Sequence, residues 1–142
     1  MNEHNFHMRL AAVYSDDNRI KQLDVDIHEN GQWQSLGLDA TTPGFVVFVY
    51  AIFTCQHLYL RTNSSERGLE MASASGEIRV RADAEWSLQH VEVDFNVLLA
   101  KGTAGREDIE YIIARMKQCP VSRNLPASAG VDTSVVFNQP HA

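Results

Sequence analysis

Two cysteines, Cys55 and Cys119, have the clearest capacity for chemistry in this 142-residue chain. A thiolate is a nucleophile and a metal ligand, and a pair of thiols can cycle through a sulfenic acid and a disulfide. The two lie 64 residues apart, so only the fold can bring them together. A plainer reading takes both as small buried hydrophobes, a common fate for free cysteine. Zinc is the weakest reading. The sequence has no Cys-x-x-Cys pair, and Cys55 with His57 stands at i, i+2, which on a helix points to different faces. His4 and His7 fall in the opening residues, where solvated side chains are expected.

Composition narrows the function classes. Net charge is −6, and the twelve Lys and Arg are scattered. No basic stripe grips a phosphate backbone, so a nucleic-acid partner is not expected. With 44% apolar residues, the chain can bury the core of a single domain over 1–142. The polar start Met1-Asn2-Glu3-His4-Asn5 lacks the charged and apolar regions of a signal peptide. The expected compartment is therefore the reducing cytoplasm, where two cysteines more often have work as thiols, or lie inert, than form a structural disulfide. The longest apolar run, from Phe45 to Leu60, contains Thr54, Gln56 and His57. It is short and polar for a membrane span, so a buried core helix is expected and no membrane partner.

The elements that must position the thiols follow from periodicity. Phe6, Met8, Leu10, Ala12 and Tyr14 alternate with His7, Arg9, Ala11 and Val13, a strand with one apolar face. Ser15-Asp16-Asp17-Asn18 is a turn. Leu23, Val25 and Ile27 make a second strand. Asn30-Gly31 is a hairpin signal, since both residues tolerate positive φ, and a short third strand follows near Trp33. Thr41-Thr42-Pro43-Gly44 breaks the pattern and starts the Phe45–Leu60 helix, which is apolar all round and so expected to be covered on most sides. Ile78, Val80, Ala82, Ala84 and Trp86 predict a strand, Val91, Val93, Phe95 and Val97 another, with a turn near Ser87-Leu88. Ile109, Ile112, Ile113 and Met116 recur at helical spacing. Glu107 and Asp108 suit the first turn of that helix, Cys119 closes it and Pro120 stops it. Val131 to Phe137 gives a last strand. The order is β-β-β-α-β-β-α-β, an α+β layout with helices on one face of an antiparallel sheet.

The segment from Ile109 to Leu125, with Cys119-Pro120-Val121-Ser122 after an amphipathic helix, resembles the C-terminal signature of the OsmC/Ohr family, the osmotically inducible protein C-like and organic hydroperoxide resistance proteins. Pro43 and Cys55 resemble the proline and first cysteine of that family's apolar central helix. The resemblance implies an intertwined homodimer with two active sites at the subunit interface. It implies a peroxidase-type oxidoreductase without a cofactor, acting on hydroperoxides. Cys55 would be the peroxidatic cysteine and Cys119 the resolving one, with a dithiol reductant, lipoyl or similar, restoring both. Phe48, Phe53 and Tyr59 could receive the apolar tail of an organic hydroperoxide.

A thiolate in an apolar helix needs a cation, because desolvation raises a thiol's pKa. The family uses an arginine in the loop after the first strand, held by a glutamate near the start of the central helix. Arg19 best resembles that arginine, and Arg9 is the second candidate. Gly44 and Phe45 stand where the family has its acid, and no acid occurs between Asp39 and Glu66. Either another acid, such as Asp39, orients the arginine, or the chain is a non-catalytic OsmC-like dimer that binds a small apolar ligand or senses redox state.

Overall fold

The computed structural model describes residues 2–140. Six strands form one sheet: β1 (His4–Ser15), β2 (Arg19–Glu29), β3 (Gln32–Ser35), β4 (Glu70–Ala82), β5 (Leu88–Lys101) and β6 (Gly130–Asn138). Two helices, α1 (Gly44–Glu66) and α2 (Arg106–Lys117), complete the expected β-β-β-α-β-β-α-β order. In space the strands run β3-β2-β1-β4-β5-β6. All neighbours are antiparallel except β5 and β6, which are parallel. The sheet is therefore mixed rather than purely antiparallel. The reason is topological: α2 is a crossover between β5 and β6, and a helical crossover returns the chain in the same direction.

Alternation decides the inner face. Met8, Leu10, Ala12 and Tyr14 of β1 are buried, as are Ile78 and Val80 of β4 and Val91, Val93, Phe95 and Val97 of β5. Gly76 leaves room for a ring, since a Cβ there would stand 2.5 Å from the Phe95 side chain. Asn30 and Gly31 take φ of 52° and 75°, the paired positive values of the expected hairpin turn. Several strand limits differ from the expected ones. β1 already begins at His4, whose ring stacks on Trp86 at 3.6 Å. β4 starts at Glu70 and ends at Ala82, short of Ala84 and Trp86. The Asp83 carboxylate accepts from the backbone N–H groups of Glu85 and Ser87, which folds the chain into a turn and throws Trp86 to φ 67°.

Helix α1 outruns its apolar core, reaching Glu66 before Gly68, at φ 73°, turns the chain out of it. One side packs on the sheet through Val49, Ile52, Phe53 and Leu60, all fully buried. The opposite side is not covered within one chain. Val47 and Leu58 are 40% and 43% exposed, and Ala51 and Thr54, at helical spacing between them, are half-buried. Length and hydropathy would let this helix cross a bilayer, but its sheet-facing side is part of the core. The all-round cover expected from its composition is thus half met by a single chain.

A side-chain bolt fixes where α1 lies. Asn18, in the turn between β1 and β2, is 1% exposed and takes φ 56°, a left-handed conformation that asparagine tolerates. Its amide donates to the Arg61 carbonyl, the Ser65 hydroxyl and the Leu69 carbonyl, and its oxygen accepts from the Met71 N–H at 2.7 Å. One residue thereby joins the β1–β2 turn, the end of α1 and the start of β4. Asn18→Ala should cost about 3 kcal/mol in urea unfolding, because it strands several buried partners at once.

Candidate functional site

Cys55 lies mid-way along α1, at the border between its buried and uncovered sides, and is half-buried. Cys119 follows α2 and is fully buried. Both are free thiols. The helices pack against each other, and Cys119 lies close enough to act on the Cys55 thiol. Burial comes first in pushing the Cys55 thiol up to about 11; the adjacent Cys119 thiol pushes the same way, and the backbone N–H of Val121 pulls against them. Besides burial, Cys119 and Val121 are thus the groups that set the Cys55 thiol's acidity.

Pro120 and the short 3-10 turn Ser122–Asn124 shape the loop that carries Cys119. The Arg123 N–H donates to the Cys119 carbonyl at 2.9 Å, and Asn124 caps the Pro120 carbonyl. Within that loop the Ser122 N–H points at the Cys119 sulfur at 3.4 Å, and the Ser122 hydroxyl lies 3.1 Å from the same sulfur. Gln56, next to Cys55 in sequence and fully buried, donates to the Ser122 hydroxyl at 3.0 Å. Thr133 of β6 in turn donates to the Gln56 carbonyl oxygen at 3.0 Å. Sequence periodicity gave Gln56 no role. The signal was there, however: an amide at a core position of an apolar helix must find buried partners.

The expected cation is not beside the thiol within one chain. Arg19 is exposed at the first position of β2, opposite Ser15. Arg9 points to the outer face of the sheet, where it binds Asp26 at 2.9 Å and lies over Trp33. Among the described residues no guanidinium makes a hydrogen bond to either sulfur. Asp39 is engaged elsewhere: the Thr41 hydroxyl and N–H donate to its carboxylate and hold it below the usual range. Phe45 packs against Phe6, Phe48 and Trp86, so an aromatic cluster occupies the start of α1.

His57 lies on another face of the helix from Cys55. Burial, reinforced by the Arg61 guanidinium, pushes it down to about 3, so the ring is neutral. It is hydrogen-bonded to the Tyr14 hydroxyl at 2.6 Å and stacked on Phe95. This is a core contact, not a ligand set; among the described residues no three His, Cys, Asp or Glu side chains converge as a metal site would require. His7 binds Glu77 on the outer face of the sheet.

No protein-family model matches the chain, and no curated protein sequence does either. Solved structures do. An OsmC-like hydroperoxide resistance protein from Jannaschia sp. CCS1 superimposes with a TM-score of 0.58 at 16% identity, over 85% of this chain and 86% of that one. The chain has the OsmC-like fold. An OsmC-like protein from Mycoplasma pneumoniae aligns at TM-score 0.53 and 10% identity, covering 93% of this chain and 96% of that one. An organic hydroperoxide resistance protein from Elizabethkingia anophelis aligns at 0.50 and 13%, covering 90% and 94%. At these identities the likeness is one of architecture: the OsmC-like fold places an apolar helix on a sheet and a second helix beside it.

The causes acting on Cys55 have a testable consequence. Two of them belong to Cys119, and both raise the pKa. Cys119→Ala removes them while burial remains. The pH midpoint for iodoacetamide alkylation of Cys55 should therefore fall below that of the native protein.

Proposed function

We propose that the protein is a thiol-dependent hydroperoxide reductase with Cys55 as the peroxidatic and Cys119 as the resolving residue. The observation that supports this reading is that the Cys119 thiol acts on the Cys55 thiol although the two come from distant parts of the chain, within an OsmC-like fold. The Cys55 thiolate attacks the terminal peroxide oxygen. The O–O bond breaks, an alcohol leaves with a proton, and Cys55 becomes a sulfenic acid. The Cys119 sulfur then attacks the Cys55 sulfur, forming a disulfide and releasing water. A dithiol reductant, lipoyl or similar, returns both to thiols by exchange.

The first step needs ionised Cys55, and a single chain holds that thiol protonated. A second copy is the natural source of the cation. The uncovered stripe of α1, from Val47 to Leu58, runs beside Cys55 and suits a homodimer in which two such helices pack together. Exposed Arg19 is available to act on the partner's site. The dimer is therefore part of the mechanism, and a cytoplasmic, reducing setting would keep the resting thiols free.

Adding tert-butyl hydroperoxide to the reduced protein should remove both thiols together and leave a Cys55–Cys119 disulfide, read by thiol titration and peptide mass. Unchanged thiol counts would instead favour a non-catalytic dimer that binds an apolar ligand or senses redox state, a reading that the Phe45 cluster supports. Sedimentation should show a dimer for the native chain, and Leu58→Glu, which puts a charge on the uncovered stripe, should shift it to monomer. A native monomer would remove the source of the cation and sink the mechanism.

A further inference from the structure

The chain of buried hydrogen bonds behind the cysteines has a direction. Thr133 donates to the Gln56 oxygen, which commits the Gln56 amide nitrogen to Ser122. The Ser122 oxygen accepts from that amide and lies 3.1 Å from the Cys119 sulfur. Gln56 is fully buried and Ser122 is 7% exposed, so no bulk water competes for these groups. An amide, unlike a carboxylate, can both accept from Thr133 and donate to Ser122. The arrangement suits both protonation states of Cys119. As a thiol it donates S–H to the Ser122 oxygen; as a thiolate it receives the Ser122 O–H and, from the backbone, the Ser122 N–H.

We propose that Gln56 and Thr133 are positioning residues for the resolving step, acting through Ser122 to hold the Cys119 sulfur against Cys55 and to keep a hydroxyl proton free for it. This rests on the assignment of Cys55 and Cys119 as a redox pair, and it adds the three polar residues that make the second member of the pair reactive. The same wire ties β6 to α1 and to the Cys119 loop, so the strand after the loop takes part in setting the sulfur.

An aromatic disulfide such as dithionitrobenzoate isolates this step without peroxide. Cys55 attacks the reagent, a mixed disulfide forms on Cys55, and the first coloured thiolate leaves. Cys119 then attacks the Cys55 sulfur; the intramolecular disulfide forms, the second coloured thiolate leaves, and the Cys119 proton passes to solvent. The native protein should release colour in two phases. Thr133→Val removes the donor that fixes the amide. Gln56→Glu keeps the shape but draws the Ser122 proton toward a carboxylate. Each should leave the first phase within about twofold and slow the second about tenfold, the effect of one hydrogen bond. Thr133→Ser, which keeps the hydroxyl, should restore the second phase.

A native protein that carries one label on each cysteine, with no second phase, would overturn the redox pairing itself. Two native phases with second-phase rates unchanged in Thr133→Val and Gln56→Glu would overturn the positioning role alone. Equal slowing in Thr133→Ser and Thr133→Val would assign the effect to packing and overturn it too. Thr133 is half-buried on the sheet's last strand, so its variants keep the test open should Gln56→Glu fail to fold.

Discussion

The contact between α1 and α2 is the constraint on which the proposed chemistry depends. Neither helix carries a reactive pair by itself. Cys55 has a polar neighbour because α2 delivers Cys119 and the Val121 N–H to its side of the helix. Several interactions hold that delivery in place. Asn18 bolts the end of α1 to the sheet, Pro120 and the following 3-10 turn bend the chain around the Cys119 sulfur, and Gln56 binds this loop back to α1. Movement of a few ångströms in any of them would change how the two thiols meet, since a disulfide tolerates little variation in geometry.

The electrostatics of a single chain run against ionisation. Burial raises Cys55, and its nearest titratable neighbour is a second thiol that raises it further. The Arg61 guanidinium, on α1 itself, acts on Tyr14 and His57. The same surface of α1 that exposes Cys55 also exposes an apolar stripe that water does not favour. We propose that these two deficits, a missing charge and a missing cover, have a common remedy in a second copy of the chain. In the proposed mechanism, assembly and chemistry are linked for this reason.

The start of α1 separates this chain from the pattern it resembles. An acid there would orient an arginine toward the thiol. Phe45 instead joins Phe6, Phe48 and Trp86, and a ring cluster cannot hold a guanidinium as a carboxylate does. Phe48 stands two helical turns before Cys55 on the same face, so the aromatic cluster borders the approach to the thiol. An apolar substrate tail or ligand would meet rings there, whatever chemistry follows.

Sequence alone determined the elements, because strand and helix periodicity are local properties of a chain that must bury one face. The β1 alternation, the Asn30-Gly31 hairpin, the α2 stripe and the stop at Pro120 were all legible, and Cys119-Pro120-Val121-Ser122 pointed to the fold. The end of β4 was not, because the Asp83 turn overrides an alternation that continues to Trp86. The tertiary structure decided everything that depends on direction in space. It made β6 parallel to β5 and left one side of α1 uncovered. It put Arg9 on the far face of the sheet and gave Gln56 partners from residues 66 and 77 positions away. Those facts rest on contacts between distant segments, and a one-dimensional pattern records which face a residue takes but not what it will meet there.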